Sequence, residues 1–216
     1  MSDIISYENV LPIAPLKIAA LERCLDLARG VDDYLVRFRE STNQKLQGTP
    51  DFQGYHEDSY IIRSACPRFG TGEAKGILYD SVRGVDLFIM ADVLNHSLSY
   101  TVCGHKNYMS PDDHYQDLKR IISATNGKAH RINVIMPFLY EGRQHKRSQR
   151  ESLDCAFALQ ELVDMGVTNI ITFDAHDPRV CNAVPLYGFD SFNPPYQFIK
   201  GLLKAEPDLK IDNEHL

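Results

Sequence analysis

Residues 132–147 read Ile-Asn-Val-Ile-Met-Pro-Phe-Leu-Tyr-Glu-Gly-Arg-Gln-His-Lys-Arg, so a β-rich apolar run passes directly into a cationic loop. Further along, residues 170–176 read Ile-Ile-Thr-Phe-Asp-Ala-His, and a similar run ends in a carboxylate and an imidazole. Two more β-rich runs, at 60–65 and 85–90, are separated from these by helical patterns. Strands that alternate with helices are typical of a parallel sheet covered by helices. We therefore predict a three-layer α/β domain with a mainly parallel sheet.

Three helices are predicted around these strands. Ser110-Pro-Asp-Asp113 and Ser148-Gln-Arg-Glu151 each place a serine at a cap position and an acid three residues later, which is the capping-box pattern. Gly127 and Gly166 are predicted to end these two helices. A third helix is predicted from Asn193-Pro194 to Pro207.

The N-terminal part of the chain has a different hydrophobic pattern. Residues 15–46 carry apolar side chains at helical spacing, with Gly30 as a break, and predict two amphipathic helices. Residues 47–54 contain turn-forming residues without periodicity and are predicted to be a linker. We therefore divide the chain into a helical extension at 1–50 and an α/β domain at 58–216.

Composition excludes several classes of protein. The chain has 216 residues and a formal net charge of −6, so it lacks the broad cationic surface of a general nucleic-acid or membrane-surface binder. The five cysteines are widely spaced without a Cys-x-x-Cys pair, which favours neither a disulfide framework nor a thiolate zinc site. No apolar run is long enough to span a membrane, and the N-terminus does not resemble a signal peptide. A reducing cytoplasm is the predicted compartment.

The cationic loop is the first candidate site. Arg143-Gln-His-Lys-Arg147 and Arg150 lie between a predicted strand and a predicted helix N-terminus. Guanidinium groups bind phosphate oxygens, and a helix N-terminus adds backbone N–H donors, so this position suits a polyphosphate. A solvated basic turn is the alternative interpretation.

The second candidate site is Asp174-Ala-His176-Asp177, directly after the predicted strand at 170–173. A carboxylate and an imidazole there could hold a divalent ion that bridges phosphate oxygens. Asp174 could instead orient His176 by accepting a hydrogen bond, and the same residues could be no more than a helix cap and a surface histidine. The carboxyl ends of parallel strands meet at one edge of a sheet, so we expect this site to face the cationic loop.

A third segment, Arg68-Phe-Gly-Thr-Gly-Glu73, is by itself a common hairpin turn. Its phenylalanine could stack on a base and its glutamate could accept from an exocyclic amine. The chain contains no dinucleotide-binding Gly-x-Gly-x-x-Gly spacing and no Walker phosphate loop.

These three segments, in this order, resemble ribose-phosphate pyrophosphokinase, and the likeness extends over about residues 60–205. The resemblance implies a phosphoribosyltransferase-like fold. It also implies adenine contacts from Phe69 and Glu73, often across a subunit boundary, so a homo-oligomer is expected.

The resemblance further assigns roles to residues of the other two segments. Arg143 and Gln144 are implied to hold ATP, and the clamp is expected to continue through His145 and Lys146. Asp174, His176 and Asp190 are implied to form a Mg²⁺ site. Thr71, Glu141 and His145 depart from the family pattern at these positions.

The family transfers the diphosphate of ATP to ribose 5-phosphate and releases AMP. We therefore expect this chain to be the ATP-side half of such an enzyme, with negligible turnover alone because the family's C-terminal sugar-phosphate loop is absent from the sequence. A non-catalytic regulatory or scaffold homologue is the alternative. An RNA-binding module is a third interpretation, which the acidic total charge disfavours.

Overall fold

A computed structural model describes residues 12–45 and 54–209. The described strands are β1 (Leu16–Ala20), β2 (Ile61–Ile62), β3 (Ser64–Ala65), β4 (Ile77–Leu78), β5 (Asp86–Met90), β6 (Ser99–Val102), β7 (His105–Tyr108), β8 (Arg131–Met136), β9 (Asn169–Phe173) and β10 (Gly188–Phe192). The described helices are α1 (Leu25–Lys45), α2 (Pro111–Ala124), α3 (Asp154–Asp164) and α4 (Pro195–Ala205).

A six-stranded parallel sheet with the order β10-β9-β8-β5-β1-β2 forms the centre of the fold. The chain passes from β1 to β2 on one side and then returns to build β5, β8, β9 and β10 on the other side of β1. The direction of winding therefore reverses between β1 and β5. In open α/β sheets, the carboxyl ends of the strands at such a reversal form a crevice that commonly binds ligands.

Helices cover both faces of this sheet. On one face, Leu87 and Ile89 of β5 lie in a core cluster with residues of α2 and α3 such as Leu118 and Leu159. On the other face, Ile18 and its neighbours on β1 pack with the start of α1. β5 is buried on both sides, which explains why its sequence, Asp-Leu-Phe-Ile-Met, is continuously apolar after the first residue. The predicted three-layer α/β domain with a mainly parallel sheet is confirmed.

Helix α2 begins where the sequence predicts. The Ser110 hydroxyl accepts a hydrogen bond from the Asp113 amide, and the Asp113 side chain accepts one from the Ser110 amide. Helix α3 begins at Asp154, so its predicted start at Ser148 is wrong. Instead, the Gln144 side chain donates to the Ser152 carbonyl at 2.7 Å and holds residues 148–153 in a loop.

Among its described residues, the N-terminal part contains one α-helix where two were predicted. Residues 16–20, which were expected to be helical, form strand β1 within the sheet. Short apolar runs do not distinguish a strand from a helix, which accounts for this error. Helix α1 passes through Gly30 without a break, at a cost of about 1 kcal/mol relative to alanine. The sheet therefore starts at Leu16, not after residue 58.

The linker, the region after β5 and the last helix also differ in part from the predictions. Most of the predicted linker at 47–54 lies outside the described residues. An antiparallel hairpin of β6 and β7 follows β5 in a region where no strand was predicted. Helix α4 lies within the predicted range, but all of its residues are exposed. Among the described helices, none combines the length and apolar character that crossing a membrane requires.

Candidate nucleotide-binding site

The loops that follow β8 and β9 lie side by side at the carboxyl edge of the sheet. Met136 of β8 pairs with Thr172 of β9, and the Phe173 amide donates to the Pro137 carbonyl at 3.4 Å. Each loop contains a left-handed residue, since Glu141 has φ 53° and Asp174 has φ 49°. Left-handed conformations are uncommon for residues other than glycine and concentrate in tight turns and functional sites. The two segments that carry the first and second candidate sites are therefore neighbours.

His145 joins the two loops. Its Nε2 lies 3.4 Å from Asp177 Oδ2, and its ring centroid lies 5.3 Å from that of His176. Its Nδ1 lies 3.1 Å from the Arg143 carbonyl oxygen. Both ring nitrogens therefore face oxygen atoms, one from each loop. Sequence reasoning expected His145 in an ATP clamp, and the structure shows it as the bridge between the two loops.

Asp177 anchors the second loop. It caps the short 3-10 helix at Pro178–Ala183 by accepting from the Arg179 amide at 2.9 Å. The Arg179 guanidinium also donates to both carboxylate oxygens. These hydrogen bonds from Arg179, with a smaller effect of His145, hold the pKa of Asp177 well below its ordinary range. Asp177 is therefore an anionic support for His145 at neutral pH.

Arg143, in the loop after β8, borders the same cavity as residues of the loop after β5. Its side chain is exposed and lines a cavity of about 230 Å³ together with Leu94, Phe138 and Glu141. Burial raises the pKa of Glu141, and Asp154 and Asp112 add to this effect. Arg143 and His176 are linked through His145 and not by a direct contact.

The base of this cavity is held rigidly. The Tyr140 ring stacks on Tyr115 of α2 with centroids 4.1 Å apart, and its hydroxyl donates to Asp112 at 2.6 Å. The Tyr115 hydroxyl in turn donates to the Ala158 carbonyl of α3 at 2.8 Å. The loop that carries Arg143 is thus fixed to two helices.

The remaining cations of the first segment face solvent. Lys146, Arg147 and Arg150 are exposed, and within the described part of the chain no ion pair involves them. Gln144 differs from them, because its side chain donates to Ser152 and its carbonyl accepts from the Cys155 amide at 3.4 Å. Gln144 therefore positions the loop, while the three cations remain available to an anion.

The implied metal ligands are only partly brought together. Asp174 and His176 lie two residues apart at the end of β9, and both are exposed. Asp190 lies within β10 opposite Ile171 and accepts from the Asn169 side chain at 3.1 Å, toward the other end of the strand. Across residues 12–45 and 54–209, no three His, Cys, Asp or Glu side chains are close enough to hold a metal ion.

The third segment forms the expected turn. Arg68 and Ala74 make an isolated antiparallel bridge, and Gly72 has φ 91°. The Phe69 ring is exposed, and the Glu73 carboxylate accepts from Thr71 at 3.0 Å. The turn lies against the β6–β7 hairpin, because a Cβ at Gly72 would meet Val102 at 2.9 Å. In the part of the chain that is described, no hydrogen bond or ring contact joins this turn to residues 143–146.

A second concave region lies at the reversal between β1 and β5, and sequence reasoning missed it. It is a cavity of about 410 Å³, lined by residues that follow β1, β3 and β5, including Arg23, Cys66 and Asp92. Asp92 follows β5 just as Asp174 follows β9. Had β1 been recognised as a strand, the reversal between β1 and β5 would have been predicted. The strand-end rule would then have indicated Asp92 as a candidate site residue.

Two thiols of this cavity are predicted to be unreactive. Burial raises the pKa of Cys24 to about 12, with a smaller contribution from Asp92, and burial likewise raises the pKa of Cys66 to about 12. Since the thiolate is the nucleophile, iodoacetamide at pH 8 should modify exposed Cys103 at least about 100-fold faster than either. Peptide mass spectrometry measures the rates, with urea-unfolded chain as the control. Equal rates for Cys24 and Cys103 in folded protein would contradict this prediction.

The open parallel sheet defines an α/β protein, and the cationic loop and the Asp-His pair lie at its carboxyl edge, where such proteins commonly bind ligands. The chain belongs to the family described as the N-terminal domain of ribose phosphate pyrophosphokinase, whose profile matches residues 16–166. The predicted resemblance is thus confirmed. The match starts at β1, so the likeness begins earlier than the predicted residue 60.

Similar proteins and one solved structure support the assignment to this family. The chain is 27% identical over 115 residues to ribose-phosphate pyrophosphokinase B of Dictyostelium discoideum, covering 52% of this chain and 31% of the relative. It is 34% identical over 111 residues to ribose-phosphate pyrophosphokinase 1 of Schizosaccharomyces pombe, covering 50% of this chain and 24% of the relative. These matches therefore span about a third or less of the curated relatives' length.

The structural likeness extends further along the chain. The crystal structure of phosphoribosylpyrophosphate synthetase from Mycobacterium smegmatis matches with a TM-score of 0.60 and 17% identity. The match covers 89% of this chain and 53% of that protein. It confirms the predicted fold class.

Proposed function

We propose that this chain is the ATP-side part of a ribose-phosphate pyrophosphokinase, which transfers the diphosphate of ATP to ribose 5-phosphate and releases AMP. The observation that carries the proposal is the contact of His145 with Asp177 and His176. It joins the cationic loop after β8 to the Asp-His segment after β9. A triphosphate lying along this edge would meet cations on one side and metal-binding groups on the other.

The residues of the cationic loop have separate roles in this proposal. Arg143 offers an exposed guanidinium beside a cavity partly lined by Phe138 and Leu94, where it can donate to phosphate oxygens. Lys146 and Arg147 add positive charge at the same edge. His145 is a positioning residue, because its contacts with the Arg143 carbonyl and with Asp177 fix the loop. Phosphoryl transfer depends mainly on positioning and charge stabilisation, which suits such a site.

Asp174 and His176 fit a Mg²⁺ ion that arrives bound to the triphosphate. Two exposed protein ligands are too few for a metal held by protein alone, but Mg²⁺ usually keeps water and phosphate oxygens among its ligands. When bound, the ion would be held by Asp174 and His176 and would supply positive charge that offsets the charge of the phosphates. Asp190 is less suited to this role, since it pairs with Asn169 within the sheet.

We also propose a homo-oligomer in which Phe69 and Glu73 contact the adenine held by another subunit. The exposed Phe69 ring and the position of its turn against the β6–β7 hairpin support this arrangement. The five cysteines are all unpaired, which supports a reducing compartment such as the cytoplasm.

Replacement of Arg143 by alanine tests the clamp. We expect the Kd for Mg-ATP to rise about 10-fold or more, because a hydrogen bond to a charged group contributes roughly 1.5–3 kcal/mol. Isothermal titration measures this change. Arg37→Ala, which removes an exposed arginine of α1, is the matched control and should leave the Kd within about twofold. Equal Kd values for the two variants would contradict the proposed clamp.

A scaffold homologue that has lost catalysis is the second candidate. The observation that favours it is the incomplete metal cluster among the described residues. An assay for AMP release by the protein in its longest natural form separates the two candidates. Product formation supports the enzyme, and its absence together with intact Mg-ATP binding supports the scaffold.

A further inference from the structure

The cavity at the reversal between β1 and β5, which we call the switch-point cavity, has the properties of a small-molecule site. Its volume of about 410 Å³ lies within the range of roughly 300–1,000 Å³ typical of ligand pockets. Residues 21–25, which follow β1, form one wall, and residues 64–68 form a second. Asp92 after β5 and residues 98–100 of the hairpin region close the remaining sides.

The walls of this cavity are largely apolar. Leu21, Leu25, Leu98, Met109 and Ile121 all line it. Met109 is buried, and its sulfur lies 3.9 Å from the Arg68 guanidinium. A lining whose surface is mainly apolar favours an organic molecule over a small inorganic ion.

The charged groups of the cavity argue against an anionic ligand. Arg68 is already paired with Asp117 at 2.7 Å and lies over the Tyr100 ring, so its charge is compensated. The remaining charged lining groups are Arg23, Glu22 and Asp92, which contain one more carboxylate than cation. This balance contrasts with the exposed cations at residues 143–150.

Among the polar groups that remain, Asp92 and Ser64 can accept hydrogen bonds from a ligand, and exposed Arg23 can donate. Asp92 accepts from the Leu94 amide at 3.2 Å through one carboxylate oxygen and from the Asn95 side chain at 3.5 Å through the other, and each oxygen keeps further acceptor capacity. The Ser64 hydroxyl donates to the Ala20 carbonyl at 3.1 Å, so its oxygen can accept from a ligand. A ligand that donates hydrogen bonds, such as an amine-bearing heterocycle, would match these groups.

We propose that the switch-point cavity binds an uncharged or cationic heterocyclic molecule of nucleoside size that carries amine donors. The inference comes from the shape and charge of the cavity and does not depend on the proposed nucleotide clamp. One further cavity shares lining residues with both regions. Arg23, Cys24 and Asp92 also line a cavity of about 290 Å³ that reaches Leu94 and Phe138, and these two border the Arg143 cavity.

Adenosine is the probe, and methionine methyl groups report where it binds. In protein labelled with ¹³C at the methionine methyl groups, we expect adenosine to shift the Met109 signal saturably. The Met165 signal should stay in place, because Met165 lies in a separate groove between α2 and α3. Met109→Leu assigns the signal. If adenosine causes no saturable shift of the Met109 signal in the unsubstituted protein, the proposal is overturned.

Two matched substitutions on β6 test the location. Ser99 lines the cavity and Thr101 does not, although both are exposed residues on the same face of the strand. Ser99→Trp should weaken adenosine binding at least about 10-fold by filling the cavity, and Thr101→Trp should leave it within about twofold. Equal binding by the two variants, with both folded, would overturn the assignment.

Two further measurements separate this site from the nucleotide clamp and test the charge argument. Arg143→Ala should leave the adenosine-induced Met109 shift unchanged, even if Mg-ATP binding is lost. AMP adds a phosphate to the same base and sugar, so the excess of carboxylates should make its Kd at Met109 larger than that of adenosine. Tighter binding of AMP at Met109 would overturn the proposed ligand class.

Discussion

Asp117→Ala is expected to lower the free energy of unfolding by about 3–5 kcal/mol, because it leaves two partly buried cations without a partner. Asp117 lies on α2 and is buried. It accepts from Arg68 at 2.7 Å through one oxygen and from Arg120 at 2.6 Å through the other. Urea unfolding followed by circular dichroism measures the change.

The physical origin of this loss lies in burial. Burial raises the pKa of Asp117, although hydrogen bonding and charge from Arg120 and Arg68 oppose the shift. The ionised carboxylate is therefore costly to bury, and the network adds little net stability compared with an apolar replacement of all three side chains. Removing the acid alone costs more stability, since the Arg68 side chain stays largely buried and loses its carboxylate partner.

Asp26→Ala provides the matched control. Asp26 and Arg29 form an ion pair with the same three-residue spacing as Asp117 and Arg120, but both side chains are exposed. Exposed pairs contribute about 0.2–1 kcal/mol, so this variant should unfold almost as the wild type does. A loss of less than about 1 kcal/mol for Asp117→Ala would show that the buried cations find other partners.

Sequence reasoning found the central strands because their signals are local. The runs ending at Met136 and Phe173 are β-rich and lead directly into polar groups, and both form parallel strands in the sheet. The helix start at Ser110 was also local, since its capping box involves only four consecutive residues. The neighbouring positions of the loops after β8 and β9 then followed from the strand-end rule.

The errors arose where distant contacts decide the structure. Residues 16–20 have helical apolar spacing, but pairing with β5 and β2 makes them a strand. Residues 148–153 carry a capping pattern, but the hydrogen bond from Gln144 holds them in a loop. Asp190 lies within β10, a strand that was not predicted, and its register with Ile171 places it away from Asp174. None of these contacts is encoded within one short segment.

The bridging role of His145 illustrates the same limit within the site. Its position after Arg143 and Gln144 suggested a contact to ATP. The structure places its two nitrogens near the Arg143 carbonyl and Asp177, contacts that the sequence analysis did not predict. The anchor of that bridge, the contact of Arg179 with Asp177, depends on a turn that the sequence did not indicate. Tertiary contacts therefore determine how each residue of the candidate site is placed.

Leu87→Ala is expected to lower the free energy of unfolding by about 2–5 kcal/mol, because truncation of a fully buried leucine leaves a cavity. Leu87 is 0% exposed and lies on β5, between Lys17 of β1 and Ile132 of β8. Its side chain belongs to the core cluster that includes α2 and α3. Denaturant unfolding measures the loss, which should shift the transition midpoint without changing its slope.

Leu186→Ala is the control, since this leucine is 90% exposed and its truncation should change the free energy of unfolding by no more than about 0.5 kcal/mol. The Leu87→Ala variant also tests the candidate site, because β5 pairs along its whole length with β8, and β8 leads into the Arg143 loop. If the domain unfolds as one unit, Mg-ATP binding and helicity should be lost at the same urea concentration in Leu87→Ala. Earlier loss of binding would mean that the loop edge unfolds independently of the sheet that supports it.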